Sequence, residues 1–290
     1  MGKLEPPAGE GRRPGAWRRF LRHRNAVGGT VVILLFGVGA LVAPLLTPYG
    51  PIRVDLLATS QPPGPGHPLG TDDLGRDLWS RILYGGRYAL GLSLLTALLA
   101  GAVGTGVGVV SGYNGGWIDG VVMRVVDILL AFPTFLLGLA LMAVVGPSVG
   151  NVVAVLAFTR MPRYARLLRG STLTLRNAEY VTAAQAMGAS GTRVVFRHIL
   201  PNCVAPATVF MSLDLGGIVT SLAGLSFLGV GIQPPAPDWG VMLTDARKFI
   251  YTAPWIALFP GLAITLTVMA FNFVGDGVRD ALDPRLRSQM

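Results

Sequence analysis

Few residues in this 290-residue chain are of a type and spacing that could carry chemistry. The three histidines, His23, His67 and His198, are scattered, and none stands at a recognisable ligand spacing from Cys203 or from a group of carboxylates. A single cysteine excludes an internal disulfide framework and any multi-cysteine metal site. The stretch "GLSFLG" at 224–229 is not G-x-S-x-G, so a Ser/His/Asp hydrolase has nothing to build on. Glycine runs such as "GAVGTGVG" (101–108) lack the Lys-Ser/Thr that a P-loop needs to reach the β- and γ-phosphates. Two acids in apolar surroundings stand out. Asp127 lies one helical turn from Arg124, which predicts a local i,i+3 pair. Asp214 sits deep in "FMSLDLGGIV", where an ionisable group is a functional candidate because its burial in lipid is costly. Asp214 either faces a solute pathway or forms a structural pair, with Arg160 or Arg163 as intramolecular partners.

The elements that must position these groups are apolar. Hydrophobic residues make up 51% of the chain and charged residues only 13%, against about 25% in soluble domains. This composition, with a mean hydropathy of +0.55, points to lipid and to about six spans of roughly 20 residues each. The net charge of +9 is concentrated, with seven Lys/Arg in residues 1–24 and seven Arg in 160–197. Basic clusters beside apolar runs are the mark of cytoplasmic flanks rather than of nucleic-acid binding. The apolar run Ala26–Leu46 exceeds a typical signal-peptide core and has no A-x-A site close behind it, which predicts an uncleaved first span.

The expected order is a cytoplasmic basic tail (1–24) whose last part is a basic interfacial helix, a first transmembrane helix (25–48) and an extracytoplasmic loop (49–87). Further spans are expected near 88–112, 121–145, 149–168, 203–228 and 254–275, with a cytoplasmic tail at 276–290. The fourth carries Arg160 and Arg163, yet parity requires it: the two basic regions share one side of the membrane only if an even number of crossings separates them. An all-α integral membrane protein with six transmembrane helices and both termini cytoplasmic is the self-consistent reading.

That topology leaves 169–202 as a cytoplasmic loop too long for a simple connection. Its core, "EYVTAAQAMGASGTRVVFRHILPN" (179–202), predicts a helix over Ala178–Met187 stopped by Gly188, then a second helix over Thr192–Ile199 before Pro201 opens the next span. Ala183, Ala184 and Gly188 leave a low surface that another protein could approach closely, and a solvated helical hairpin is the plain alternative. In the 49–87 loop, Arg76, Asp77 and Arg81 have spacings for helical ion pairs, and "HPLGTDD" reads as a turn into a capped helix start. This loop and "QPPAPDWG" (233–240) are structural lids or docking surfaces.

The pattern A-A-x3-G-x11-L-P, carried by Ala183, Ala184, Gly188, Leu200 and Pro201, resembles the EAA loop of bacterial ABC importer permeases. Glu179 opens the same helix, and Thr182 stands where the consensus places its glutamate, so no acidic contact is available from that position. The stretches 67–90, 127–141, 179–190, 225–243 and 275–287 resemble dipeptide/oligopeptide permeases of the DppC/OppC kind, in the same order. Leu222 departs from the glutamate frequent before "SFLG" in that family.

The resemblance implies a type I ABC importer permease fold with its core over 88–275, and ATPase coupling through Glu179, Thr182, Ala183, Ala184, Gly188, Leu200 and Pro201. It also implies a second homologous permease subunit, two ABC ATPase subunits that hold the ATP and Mg, an extracytoplasmic substrate-binding protein and a bacterial cytoplasmic-membrane location. No cofactor or metal is expected on this chain, and no nucleic acid. Within this reading Asp214 meets a peptide's amino terminus or pairs with Arg160, Arg163 or the second permease subunit. A permease for nickel or another small solute, an ion-driven secondary transporter and an intramembrane enzyme are the alternatives. The last would need paired catalytic groups that the spans lack.

Overall fold

The computed structural model of the chain describes residues 16–282. The first fifteen residues of the basic tail, and Arg285 and Arg287 near the other end, lie outside the described residues. Among the described residues every regular element is helical, and pairing between extended segments is limited to isolated bridges at Gly64–His67 and Thr71–Asp77.

The short helix α1 (Ala16–Arg22) is joined through His23 alone to α2 (Arg24–Leu41). His23 caps α2 by accepting the Ala26 N–H at Nδ1, 3.2 Å away. Val42 interrupts the run, and α3 (Ala43–Leu46) restarts it with Pro44 in its first turn, where a missing N–H costs nothing. After the loop at 47–77 come α4 (Leu78–Gly86), a widened turn over Arg87–Leu92 and α5 (Ser93–Asn114). These form one helical path of 37 residues, so the helix that carries the expected second span begins at Leu78, ten residues ahead of residue 88.

The third predicted span is not one helix. It divides into α6 (Gly116–Ala131) and α7 (Thr134–Val145), bent by 92°. Pro133 is the cause: it cannot donate a backbone hydrogen bond, and it pushes Phe132 to an extended φ/ψ of −88°/138°. The fourth, α8 (Val149–Arg176), is unbroken over 28 residues, about 42 Å long, despite Pro162. Next come α9 (Glu179–Ala186), α10 (Gly191–Val194), a second widened turn at Val195–Ile199, and α11 (Leu200–Phe227). The path Gly191–Phe227 is continuous, so the helix that carries the expected fifth span begins ahead of Pro201. The widened turn just before Pro201 absorbs its missing donor, and the Asn202 side chain caps the His198 carbonyl at 2.6 Å. The chain closes with α12 (Trp239–Ala246) and α13 (Trp255–Leu282).

Four of these paths are long and apolar enough to cross a membrane, and five if the bent pair is one span. The arginine-bearing α8 is not among them. Two packings build the bundle. α5 lies on α8 through Gly104, Gly108 and Gly112, spaced by four residues; a Cβ at Gly104 would stand 2.7 Å from the Met161 carbonyl oxygen. α11 packs on α5 and α13 through Ala97, Leu215, Ile218, Val219 and Phe271. Outward faces remain apolar, with Leu34, Leu35, Val103, Leu262 and Leu266 all exposed. Such faces suit a hydrocarbon surround, where association rests on close packing rather than on escape from water.

Candidate functional site

Three polar assemblies are spaced along the bundle. At one end, α9 and the start of the α10–α11 path form a helical hairpin. Gly188 makes the turn with φ +83°, a conformation that glycine adopts at no steric cost. The hairpin has an inner and an outer side. Val181, Val194, Ile199 and Cys203 are buried together with Val109 of α5 and Leu168 of α8. Tyr180, Met187 and Phe196 are exposed, Met187 to 82%. Ala184, predicted to lie on the low outer surface, is buried at 6% exposure, whereas Glu179, Thr182, Ala183 and Gly188 are exposed. Leu200 is half-buried against the inner core and Pro201 is exposed. A cleft of about 370 Å³ follows the hairpin, lined by Ala184, Met187, Ala189, Arg193, Arg197 and His198. His198 is half-buried on a helix with its ring 6.2 Å from that of Tyr180. Sequence reading missed Tyr180, Met187 and Phe196; the signal was present as large apolar side chains inside a polar, basic segment.

In the middle of the bundle, Asp214 of α11 is met by Arg160 of α8. Nη1 of Arg160 donates to one carboxylate oxygen of Asp214, and Nη2 donates to the Gly217 carbonyl and the Ser221 hydroxyl, each at 2.7 Å. The Tyr164 hydroxyl reaches the other carboxylate oxygen at 3.4 Å, and its ring packs edge-on against Phe210 at 4.7 Å. Both charged side chains are more than nine-tenths buried. Of the two placements left open for Asp214, the geometry is that of the structural pair with Arg160. Arg163 points elsewhere, to the Thr134 hydroxyl at 2.9 Å. The predicted Arg124–Asp127 pair does not form; Asp127 is bound by Arg166 of α8. Asp119 takes both Nε and Nη2 of Arg169 at 2.6 Å, so two ion pairs tie α6 to α8. Leu222 is buried within an apolar cluster, consistent with its lack of a polar group.

At the far end the 47–77 loop, α4 and α12 interlock. The predicted pairing among Arg76, Asp77 and Arg81 does not form, and each takes other partners, some local and some distant. Asp77 caps α4 through the Ser80 N–H at 2.7 Å and meets His67 Nδ1 at 2.9 Å. Arg76 pairs with Asp72 at 2.6 Å and, across 169 residues, with Asp245 of α12 at 3.2 Å. Arg81 is fully buried and donates to the Pro51 carbonyl at 2.9 Å. Asp238 caps α12 through the Gly240 and Val241 N–H groups, while the buried Trp239 donates to the Ile82 carbonyl at 3.1 Å. Burial pushes the Asp238 carboxyl up to about 6, against the lowering effect of those hydrogen bonds. Asp73 is likewise raised, first by burial and then by Asp72 and Asp245.

None of these assemblies pairs a nucleophile with a base, and no group of three or more His, Cys, Asp or Glu among the described residues could hold a metal. What they do is join helices: an apolar-tipped hairpin fixed to three long helices, an ion pair in mid-bundle and a cross-braced far end.

Residues 104–288 match the family described as "Binding-protein-dependent transport system inner membrane component", and residues 15–63 match the "N-terminal TM domain of oligopeptide transport permease C". The chain belongs to this family of inner-membrane transport components, in its dipeptide/oligopeptide permease branch. It is 45% identical to the glutathione transport system permease protein GsiD of Pectobacterium atrosepticum, over 94% of this chain and 91% of that one. It is 42% identical to the dipeptide transport system permease protein DppC of Alkalihalophilus pseudofirmus, over 94% and 90% of the two chains. To the protein of the same name in Haemophilus influenzae it is 40% identical, over 93% and 94%.

Proposed function

We propose that the chain is the transmembrane permease subunit of an ATP-driven importer that moves di- and oligopeptides across the bacterial cytoplasmic membrane by alternating access. It crosses the membrane six times, the bent α6–α7 and the arginine-bearing α8 each counting as one crossing, with both termini in the cytoplasm. Its partners are a second, homologous permease, two ATPase subunits that hold ATP and Mg, and an extracytoplasmic binding protein. The peptide class rests on the relatives, whose names specify dipeptide and glutathione transport, glutathione being itself a small peptide.

The observation that carries the reading is the hairpin at 179–202. Its outer side offers Tyr180, Met187 and Phe196 to a partner, while its inner side shares one apolar cluster with α5, α8 and α11. A displacement of α9 by an ATPase subunit is therefore passed to three spans at once, because a close-packed core transmits strain rather than absorbing it. Glu179, Thr182, Ala183 and Gly188 border the outer contact. Leu200 and Pro201 connect it to α11, and Ala184 serves the inner face. Asp214 acts as a strut between α8 and α11 rather than as a peptide contact. The chain contributes no bond chemistry; its role is differential stability in two conformations, the condition for coupling.

The test is co-purification from membranes. Wild type is expected to bring down ATPase subunits, and Met187→Glu, which alters only an exposed side chain, to lose them. ATPase retention by both Met187→Glu and Phe196→Glu overturns the docking role.

A further inference from the structure

We propose that α1 is an interfacial anchor that binds anionic phospholipid headgroups beside the entry of α2. At about 100° per residue, Phe20, Trp17 and Leu21 share one sector of this helix, and the positions of Arg18, Arg22 and Arg19 share the opposite one. The apolar sector is only partly used within the fold. Phe20 packs at the cytoplasmic end of α13, where a Cβ on Gly277 would stand 3.1 Å from its ring. Trp17 stacks on Phe20 with ring centroids 6.0 Å apart, yet Trp17 is 70% exposed and Leu21 50%. Arg22 and Arg24 are exposed next to them.

Position selects lipid as the occupant. His23 alone separates α1 from α2, and His23 is held on both sides, by its cap on Ala26 and by Asp280 of α13 at 3.6 Å. α1 is therefore fixed at the level where the first span enters the membrane. On α2, Val31, Leu34, Leu35 and Val38 are likewise exposed. An exposed tryptophan at that level, with arginines on the other face, is the composition of a helix that lies in a headgroup layer. Lys3, Arg12 and Arg13 add positive charge upstream in the sequence. A protein partner is less suited, since a helix in this layer faces acyl chains on one side.

The inference rests on the membrane reading above, and its test separates the two. The intact transporter is purified in neutral detergent, and retention of phosphatidylglycerol and of phosphatidylcholine with identical acyl chains is measured by native mass spectrometry. Wild type is expected to prefer phosphatidylglycerol by roughly tenfold or more, since each basic residue near an anionic surface contributes. The preference should fall as salt rises from about 0.05 to 0.5 M, because the Debye length shrinks over that range. The variant carrying Arg18→Gln, Arg22→Gln and Arg24→Gln is expected to approach parity, and the corresponding three-lysine variant to keep the preference. Should the glutamine variant not fold, the salt series on wild type decides alone. A wild type without lipid preference overturns the anchor, as does a preference that survives the glutamine changes. If the glutamine variant sheds ATPase subunits while its lipid preference is unchanged, α1 is a protein contact. Failure of the importer reading shows separately, as no ATPase subunit accompanying wild type whatever its lipids.

Discussion

An arginine in the middle of a bundle persists because it is met, and Arg160 is met by Asp214, the Gly217 carbonyl and Ser221. Removing one partner leaves an uncompensated buried charge, at a cost of about 3–5 kcal/mol. Asp214→Ala is therefore expected to lower the unfolding temperature of the purified complex sharply, and the double variant Arg160→Met, Asp214→Leu to recover most of the loss. If the double variant loses the sum of the two single effects, the pair is not a strut. Asp238 gives a pH signature. Its folded-state value of about 6 lies above the ordinary 3.8, so the folded form binds more protons between those values and stability falls as pH rises through that window. Asp238→Asn keeps the cap and lacks that slope, so its unfolding temperature should gain on wild type between pH 4 and pH 6. Residue pairing was legible only where it drew on few candidates. Arg160 was one of two partners within the chain offered for Asp214, whereas the bridge from Arg76 to Asp245 spans 169 residues that no local pattern connects. Asp127 is a case of local reasoning overruled: α6 lies beside α8, which puts Arg166 within reach, and Arg124 stays apart.

At the scale of elements, the glycines of α5 are contact surface. A Cβ on Gly112 would stand 3.0 Å from the Arg169 carbonyl oxygen, and one on Gly108 would strike Ala165, whereas Gly106 has open space around it. Gly108→Val should force α5 from α8 and cost about 1–3 kcal/mol or more, while Gly106→Ala should be neutral or slightly stabilising. Unfolding temperatures of the two variants in detergent check the contrast, and equal losses would contradict the packing. The sequence carried this stripe plainly, as it did the helix ended by Gly188. It also carried the break in the third span, since "AFP" at 131–133 places Pro133 inside the run; the apolar length of the run concealed it. The early starts of the second and fifth helical paths were less legible. Residues 78–87 and 191–199 are too polar to read as span, and they fold as helix because each extends one already formed.

For the whole molecule, polarity orders the parts: an apolar-tipped hairpin at one end, a braced lid of α4, α12 and the 47–77 loop at the other, and greasy faces between them. The proposed six crossings put these ends on opposite sides of the membrane. In a Cys203→Ser background, Tyr251→Cys, which is 97% exposed at the lid end, should react with an impermeant maleimide in intact cells. Met187→Cys should react only after permeabilisation. Labelling of both from outside would overturn the topology. Peptide uptake reports whether the hairpin passes ATP-driven motion to the spans. In proteoliposomes holding the complete transporter and binding protein, wild type should accumulate peptide only with ATP, and Met187→Glu should abolish uptake while ATP hydrolysis by free ATPase subunits continues. Full ATP-driven uptake by Met187→Glu and Phe196→Glu alike, or wild-type uptake driven by a proton gradient without ATP, would contradict it.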